Sequence, residues 1–184
     1  MTSKNIKRLK FSFLHVLSIV VLLIIAIVLL SEGKSVPGRS RTIFKEVPII
    51  PINSNDVLRD SIVNFGMKFL NTPYISGASR KDGFDCSGFV YFVFKQFKIQ
   101  VPRSSSQFEN FGKEIPIDSV KKGDILVFFS PTSNVIGHVG IVTNPMGKDS
   151  EFIHASSGYD MKVIISSLKK LGYKRRFIKA LDVI

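Results

Sequence analysis

The change of periodicity partway along the chain constrains its fold more than any other feature. In "SNDVLRDSIVNFGMKFLNTPY", from residue 54, Val57, Leu58, Ile62, Phe65 and Phe69 recur at helical spacing, with Ser54, Asn55 and Asp56 as capping candidates and Pro73 as a stop. A second helix is expected from Asp85–Ser87 to about Phe97, and a short one over 105–111. Beyond that the apolar residues fall into β-rich runs: "DILVFFS" (124–130), "GHVGIVT" (137–143), "EFIHAS" (151–156), "KVIIS" (162–166) and "KRRFIKALDV" (174–183). Helices first and strands second imply an α+β domain, its N-terminal helices packed on an antiparallel sheet of five to six strands, rather than a βαβ repeat. Strands following one another this closely would curl into a half-barrel.

Upstream, residues 11–30 form 20 consecutive positions without charge or proline. About 20 such residues are what a helix needs to cross a bilayer. Lys4, Lys7, Arg8 and Lys10 precede the segment, which favours a cytoplasmic N-terminus and puts the remainder outside the cytoplasm. A cleavable signal peptide is the alternative, although no A-x-A cleavage pattern follows Ala26. The expected organisation is therefore an anchor or signal segment over 1–31, a Pro- and Ser-rich tether over 32–53 and one folded domain over 54–184. The domain would be either held at the membrane through residues 11–30 or secreted.

Charge adds little. Of the +12 net charge, half belongs to residues 1–41, which hold seven Lys or Arg and one acid. The body carries a mild surplus that a solvated surface accounts for. No finger spacing or basic helical register supports a nucleic-acid partner. No feature fixes an oligomeric state, and a monomer is expected.

Cys86, in "GFDCSGFVYFVFKQF", is the chain's one cysteine. At the start of a helix, unpaired backbone N–H groups favour a thiolate and offer donors to an oxyanion. A small buried hydrophobe is the plain alternative. His138 and His154 are the two histidines of the domain, on runs expected to be adjacent strands, where residues of this kind approach side by side. A cysteine facing such a pair supplies nucleophile, base and orienter. The same three residues with Asp85 or Asp160 would also make four zinc ligands, but the paired ligand spacing of structural zinc is absent. Neither a metal nor an organic cofactor is expected.

"DCSGFV", "GHVGIV" and "FIHAS", in that order, resemble the NlpC family of papain-like peptidases of bacterial cell walls; "TPYISGASRKDGFDCSGFV", "VPRSSSQF" and "KKGDILVFF" extend the likeness over about residues 56–184. The resemblance implies a papain-like core and a thiol protease, a D,L-endopeptidase hydrolysing peptidoglycan stem peptides, the usual target being the γ-D-glutamyl bond to the diamino acid. It assigns Cys86 as nucleophile, His138 as base and His154 as the residue orienting it. Tyr74 would line the cleft, Asp85 and Ser87 would meet the substrate's amino end, and Arg103 and Ser105 would lie beside the cleft. Other possibilities are an amidase or acyltransferase on the same scaffold, or a non-catalytic wall-binding module. The family's common Gly-Gly before the cysteine loop is here "SGAS" (76–79), and no SH3-like or LysM-like module is visible.

Overall fold

The computed structural model describes residues 19–27 and 53–184. The chain divides into two compact units, Met1–Ile49 and Ile50–Ile184. In the first, residues 19–27 are helical and their large apolar side chains are exposed. The rest of the apolar segment over 11–30, and the tether over 32–53 apart from Asn53, lie outside the described residues. Among the described residues no helix is long and apolar enough to cross a membrane.

The second unit is α+β. Helix α1 (Ser54–Met67) is capped by Asn53, whose side chain accepts the Asn55 N–H at 3.1 Å, so the cap falls one residue before the expected candidates. The helix ends at Met67, ahead of Pro73, and the turn that follows has Asn71 at φ +68°. Its buried stripe is Arg59, Ile62, Val63 and Gly66, while Val57 is exposed. The stripe therefore contains an arginine. Two short strands, β1 (Ser79–Arg80) and β2 (Gly83–Phe84), pair as a hairpin and lead into α2 (Cys86–Gln96). A 3₁₀ turn, Ser105–Asn110, stands where the third short helix is expected.

The remaining strands are β3 (Lys113–Ile115), β4 (Ile125–Phe129), β5 (Ile136–Asn144), β6 (Glu151–Ala155), β7 (Val163–Ser167) and β8 (Phe177–Asp182). They form one antiparallel sheet in the order β3-β8-β4-β5-β6-β7. The run expected as a strand over 174–183 begins instead in a helical turn, α3 (Leu171–Lys174), and β8 starts only at Phe177. Strand β3 is an edge strand too short to show a period.

Alternation along β4 and β5 sorts the core into two clusters. Ile125, Val127, Val139 and Ile141 pack with Phe89, Val90, Val93 and Phe94 of α2. Leu126, Phe128 and Val142 pack with Phe152, Leu168 and Ala180. Both faces of β4 are covered, which is why "ILVFF" reads as an unbroken apolar run.

Arg59 ties the two ends of this unit to the sheet. Its guanidinium donates to Asp124 at 2.6 Å, to Asp182 at 2.7 Å and to the Lys122 carbonyl at 3.0 Å. Asp124 is 1% exposed and also accepts the Lys121 N–H at 2.7 Å. Removing one partner of such a pair strands the other charge without water. Arg59→Met is expected to cost about 3–5 kcal/mol in denaturant unfolding, whereas a loss within experimental error would show that Asp124 is satisfied without it.

Candidate active site

The candidate site starts at the N-terminus of α2. Asp85 is the N-cap: its Oδ1 accepts the Gly88 N–H at 2.6 Å. The Asp85 N–H in turn donates to the Ala78 carbonyl at 2.9 Å. A Cβ on Gly88 would collide with that carbonyl, so the glycine of "DCSG" lets the preceding loop lie against the helix start. Arg103 locks the arrangement from outside. Nη1 and Nη2 donate to the two Asp85 carboxylate oxygens at 2.9 Å each, and Nη2 also reaches the Gly77 carbonyl at 2.7 Å. Gly77 sits at φ +75°, so the glycine in "SGAS" serves a turn that side-chain-bearing residues rarely adopt.

Cys86 is buried and in the free-thiol form, with Sγ 3.7 Å from the Gly137 carbonyl, its hydrogen-bond acceptor. The thiol thus meets the residue before His138, and its bond goes to main chain rather than to the imidazole. Burial pushes the thiol pKa up and the charge of Asp85 adds to this, while the N–H groups of Ser87, Val139 and Cys86 pull it down without prevailing. Desolvation thus opposes the thiolate that the N–H groups at the helix start favour.

The histidines meet on the sheet. Strand β5 pairs with β6 through Ile141 and Ile153; continuing that register sets His154 opposite Gly140, with His138 two residues along on the same face. A Cβ on Gly140 would run into the Phe152 ring at 2.5 Å and crowd the His154 Cβ at 3.2 Å, so this glycine lets β6 carry both side chains against β5. His138 Nε2 lies 2.9 Å from His154 Nδ1, the rings edge to face with centroids 4.8 Å apart. His154 Nε2 continues to Ser166 Oγ at 3.1 Å and to the Tyr173 hydroxyl at 3.2 Å. Burial, with Arg176 adding to it, pushes the His138 pKa down to about 3. His154 is pushed well below its usual value by burial and by His138, with smaller contributions from Lys170 and Arg176. Both rings are neutral near pH 7, so the pair shares one proton in a hydrogen bond. If His138 Nε2 donates to His154 Nδ1, then His154 Nε2–H donates to Ser166 or Tyr173, and His138 Nδ1 keeps its lone pair.

Tyr74 belongs to the same neighbourhood. Burial raises its pKa, the charges of Cys86 and Asp85 add to this, and Ser157 opposes it. Ser87 Oγ lies 3.3 Å from Arg103 Nη1 and is buried. Asp85, expected to meet a substrate amine, has its carboxylate engaged by the helix cap and Arg103. Ser105 opens the 3₁₀ turn, half-buried, with no side-chain hydrogen bond among the described residues. Among the described residues no cluster of His, Cys, Asp and Glu could hold a metal ion. Ser166 and Tyr173 were not indicated by the sequence. One ends a β run and the other lies in "KKLGYK", and only the folded register brings both to His154.

The NlpC/P60 family profile matches residues 71–182. The chain belongs to the NlpC/P60 family. It is 36% identical over 93 residues to a gamma-D-glutamyl-L-lysine dipeptidyl-peptidase of Bacillus subtilis, covering 50% of this chain and 31% of the relative. It is 35% identical over 112 residues to the murein DD-endopeptidase MepS/murein LD-carboxypeptidase of Escherichia coli, covering 60% and 55%. The crystal structure of an NlpC/P60 family protein from Bacillus cereus superimposes with a TM-score of 0.61 at 28% identity, covering 68% of this chain and 40% of that one. The matches thus span 31% and 55% of the length of these two curated relatives.

The depressed histidines fix the sign of a pH effect. Unfolded, each ring takes up a proton near its ordinary value of 6.5; folded, it does so only far below that. Stability is therefore full above about pH 6.5 and declines as pH falls, by roughly 1 kcal/mol per pH unit for each ring. Denaturant midpoints measured from pH 7 to pH 4 should fall less steeply for His138→Gln than for wild type, and parallel curves would contradict the neutral, buried ring.

Proposed function

We propose that the chain is a cysteine peptidase of bacterial peptidoglycan that cleaves stem peptides at the γ-D-glutamyl bond to the diamino acid. The observation that carries this reading is the buried His138–His154 hydrogen bond beside the capped helix start that bears Cys86. Family membership supplies the substrate class, and both curated relatives are named as peptidases, one for a γ-D-glutamyl bond.

In this mechanism the thiol and the imidazole rest as a neutral pair. His154 holds His138 with its Nδ1 lone pair directed away from the pair, available to take the Cys86 proton as sulfur attacks the carbonyl. The N–H groups of Cys86 and Ser87 donate to the oxyanion, replacing the water lost there. The imidazolium then protonates the leaving amine, and water releases the thioester with His138 again as base. Since the resting pair is neutral, the thiolate forms during attack rather than before it, and substrate must assist by swinging the thiol from the Gly137 carbonyl toward the ring. Tyr74 lines the approach to sulfur. Asp85 and Arg103 set the helix start and leave less of the Asp85 carboxylate for a substrate amine than the bare motif implies. Residues 11–30 would hold the domain at the outer face of the cytoplasmic membrane, where the substrate lies.

Digestion of purified muropeptides, read by mass spectrometry, tests this. Wild type should separate D-glutamate from the diamino acid and Cys86→Ala should be inactive. His154→Ala should keep more activity than His138→Ala, since it orients the base and does not react. Cleavage by Cys86→Ala, or equal losses from the two histidine variants, would contradict the assignment.

A further inference from the structure

Beside His138 lies a small pocket of about 130 Å³ whose walls include Gly137, His138, Ser156, Ser157, Tyr173 and Arg176. Arg176 is built into it. Its Nε donates to the Gly172 carbonyl at 2.9 Å, its Nη1 to the Phe129 carbonyl at 3.0 Å, and its guanidinium stacks on the Tyr173 ring at 5.1 Å. These contacts fix the planar head while none of them offsets its charge. Among the described residues no carboxylate pairs with Arg176, and Nη2 has no protein acceptor.

We infer that this pocket is a carboxylate subsite for the residue on the leaving-group side of the scissile bond, an inference that rests on the stem-peptide reading above. The direction follows from chemistry. The imidazole that protonates the leaving amine must stand next to the residue bearing that amine, and the same imidazole walls the pocket. A guanidinium with one unengaged nitrogen suits a carboxylate oxygen in a charge-assisted hydrogen bond, and Ser156 and Ser157 line the same pocket. The positive charge also lowers the basicity of His138 and His154, a cost to a general base that a bound anion removes. Substrate binding and activation of the base are then one event. Where the diamino acid is diaminopimelate it offers two carboxylates, one on its side chain and one on its main chain when it ends the peptide, and either has the chemistry required; lysine offers only the second.

Calorimetric titration of Cys86→Ala protein with an L-Ala-γ-D-Glu-diaminopimelate peptide separates these sources. The peptide is used in three forms: both diaminopimelate carboxylates free, the side-chain one amidated, or the main-chain one amidated. One amidated form should bind at least tenfold more weakly than the free form, and that form identifies the carboxylate. Adding Arg176→Gln should abolish the difference, and Arg176→Lys should keep part of it. Equal binding of all three forms, binding of none, or a preference that survives Arg176→Gln overturns the subsite. The three-form comparison needs no change at Arg176, so it decides the matter even where Arg176→Gln does not fold. Wild-type cleavage separates this inference from the function. Equal cleavage of all three forms would sink the subsite and leave the activity, whereas carboxylate-dependent binding without cleavage would do the reverse.

Discussion

The hydrogen bond between His138 Nε2 and His154 Nδ1 is the constraint on which the candidate site depends. A buried imidazole without a partner would cost its full desolvation, so each ring in the pair satisfies the other. The bond exists because β5 and β6 pair in one register, which Gly140 permits by leaving room for Phe152 and the His154 Cβ. A slip of one residue would send His138 to the opposite face of the sheet and end the contact. Ser166 and Tyr173 close the far end of the chain of bonds, so a proton position at the inner end is transmitted outward to His138 Nδ1.

The thiol is held by a different device. Asp85 caps α2, Arg103 pins Asp85 and the Gly77 carbonyl, and Gly88 admits the loop that carries Ala78. The apolar face of α2 packs on β4 and β5, and at the site itself Cys86 meets Gly137. Arg59 performs the matching task at the other end of the sheet, joining α1 to the segment before β4 and to β8. In both places an arginine fork adds a fixed direction to the apolar packing near a helix start. Its planar donors define an angle as well as a distance.

Much of this was legible in the residues. The α+β order, the start of α2 at Cys86 and the placing of both histidines on neighbouring strands follow from period and capping signals, and the structure has them. Other features were invisible for physical reasons. Arg59 reads as the polar face of α1 because its partners, Asp124 and Asp182, are far away in sequence. Strands β1 and β2 are two residues long and carry no period. Helix α3 interrupts a basic run that reads as strand, and with it come Tyr173 and Arg176, which matter only through the register that folds them beside His138. The burial that opposes the thiolate was not legible, because a helix terminus is a local signal while burial is a property of the whole fold.

The most direct measurement is the protonation of the two imidazoles by ¹⁵N-detected NMR of the folded protein near pH 7. A base directed at Cys86 requires the His138 proton on Nε2, toward His154, with Nδ1 bare, and the His154 proton on Nε2. A spectrum with those two tautomers, both rings neutral, is the expected result. A proton on His138 Nδ1 would mean that the chain of bonds runs in the opposite sense, from Tyr173 inward, and that His138 as it stands has no lone pair to offer the thiol.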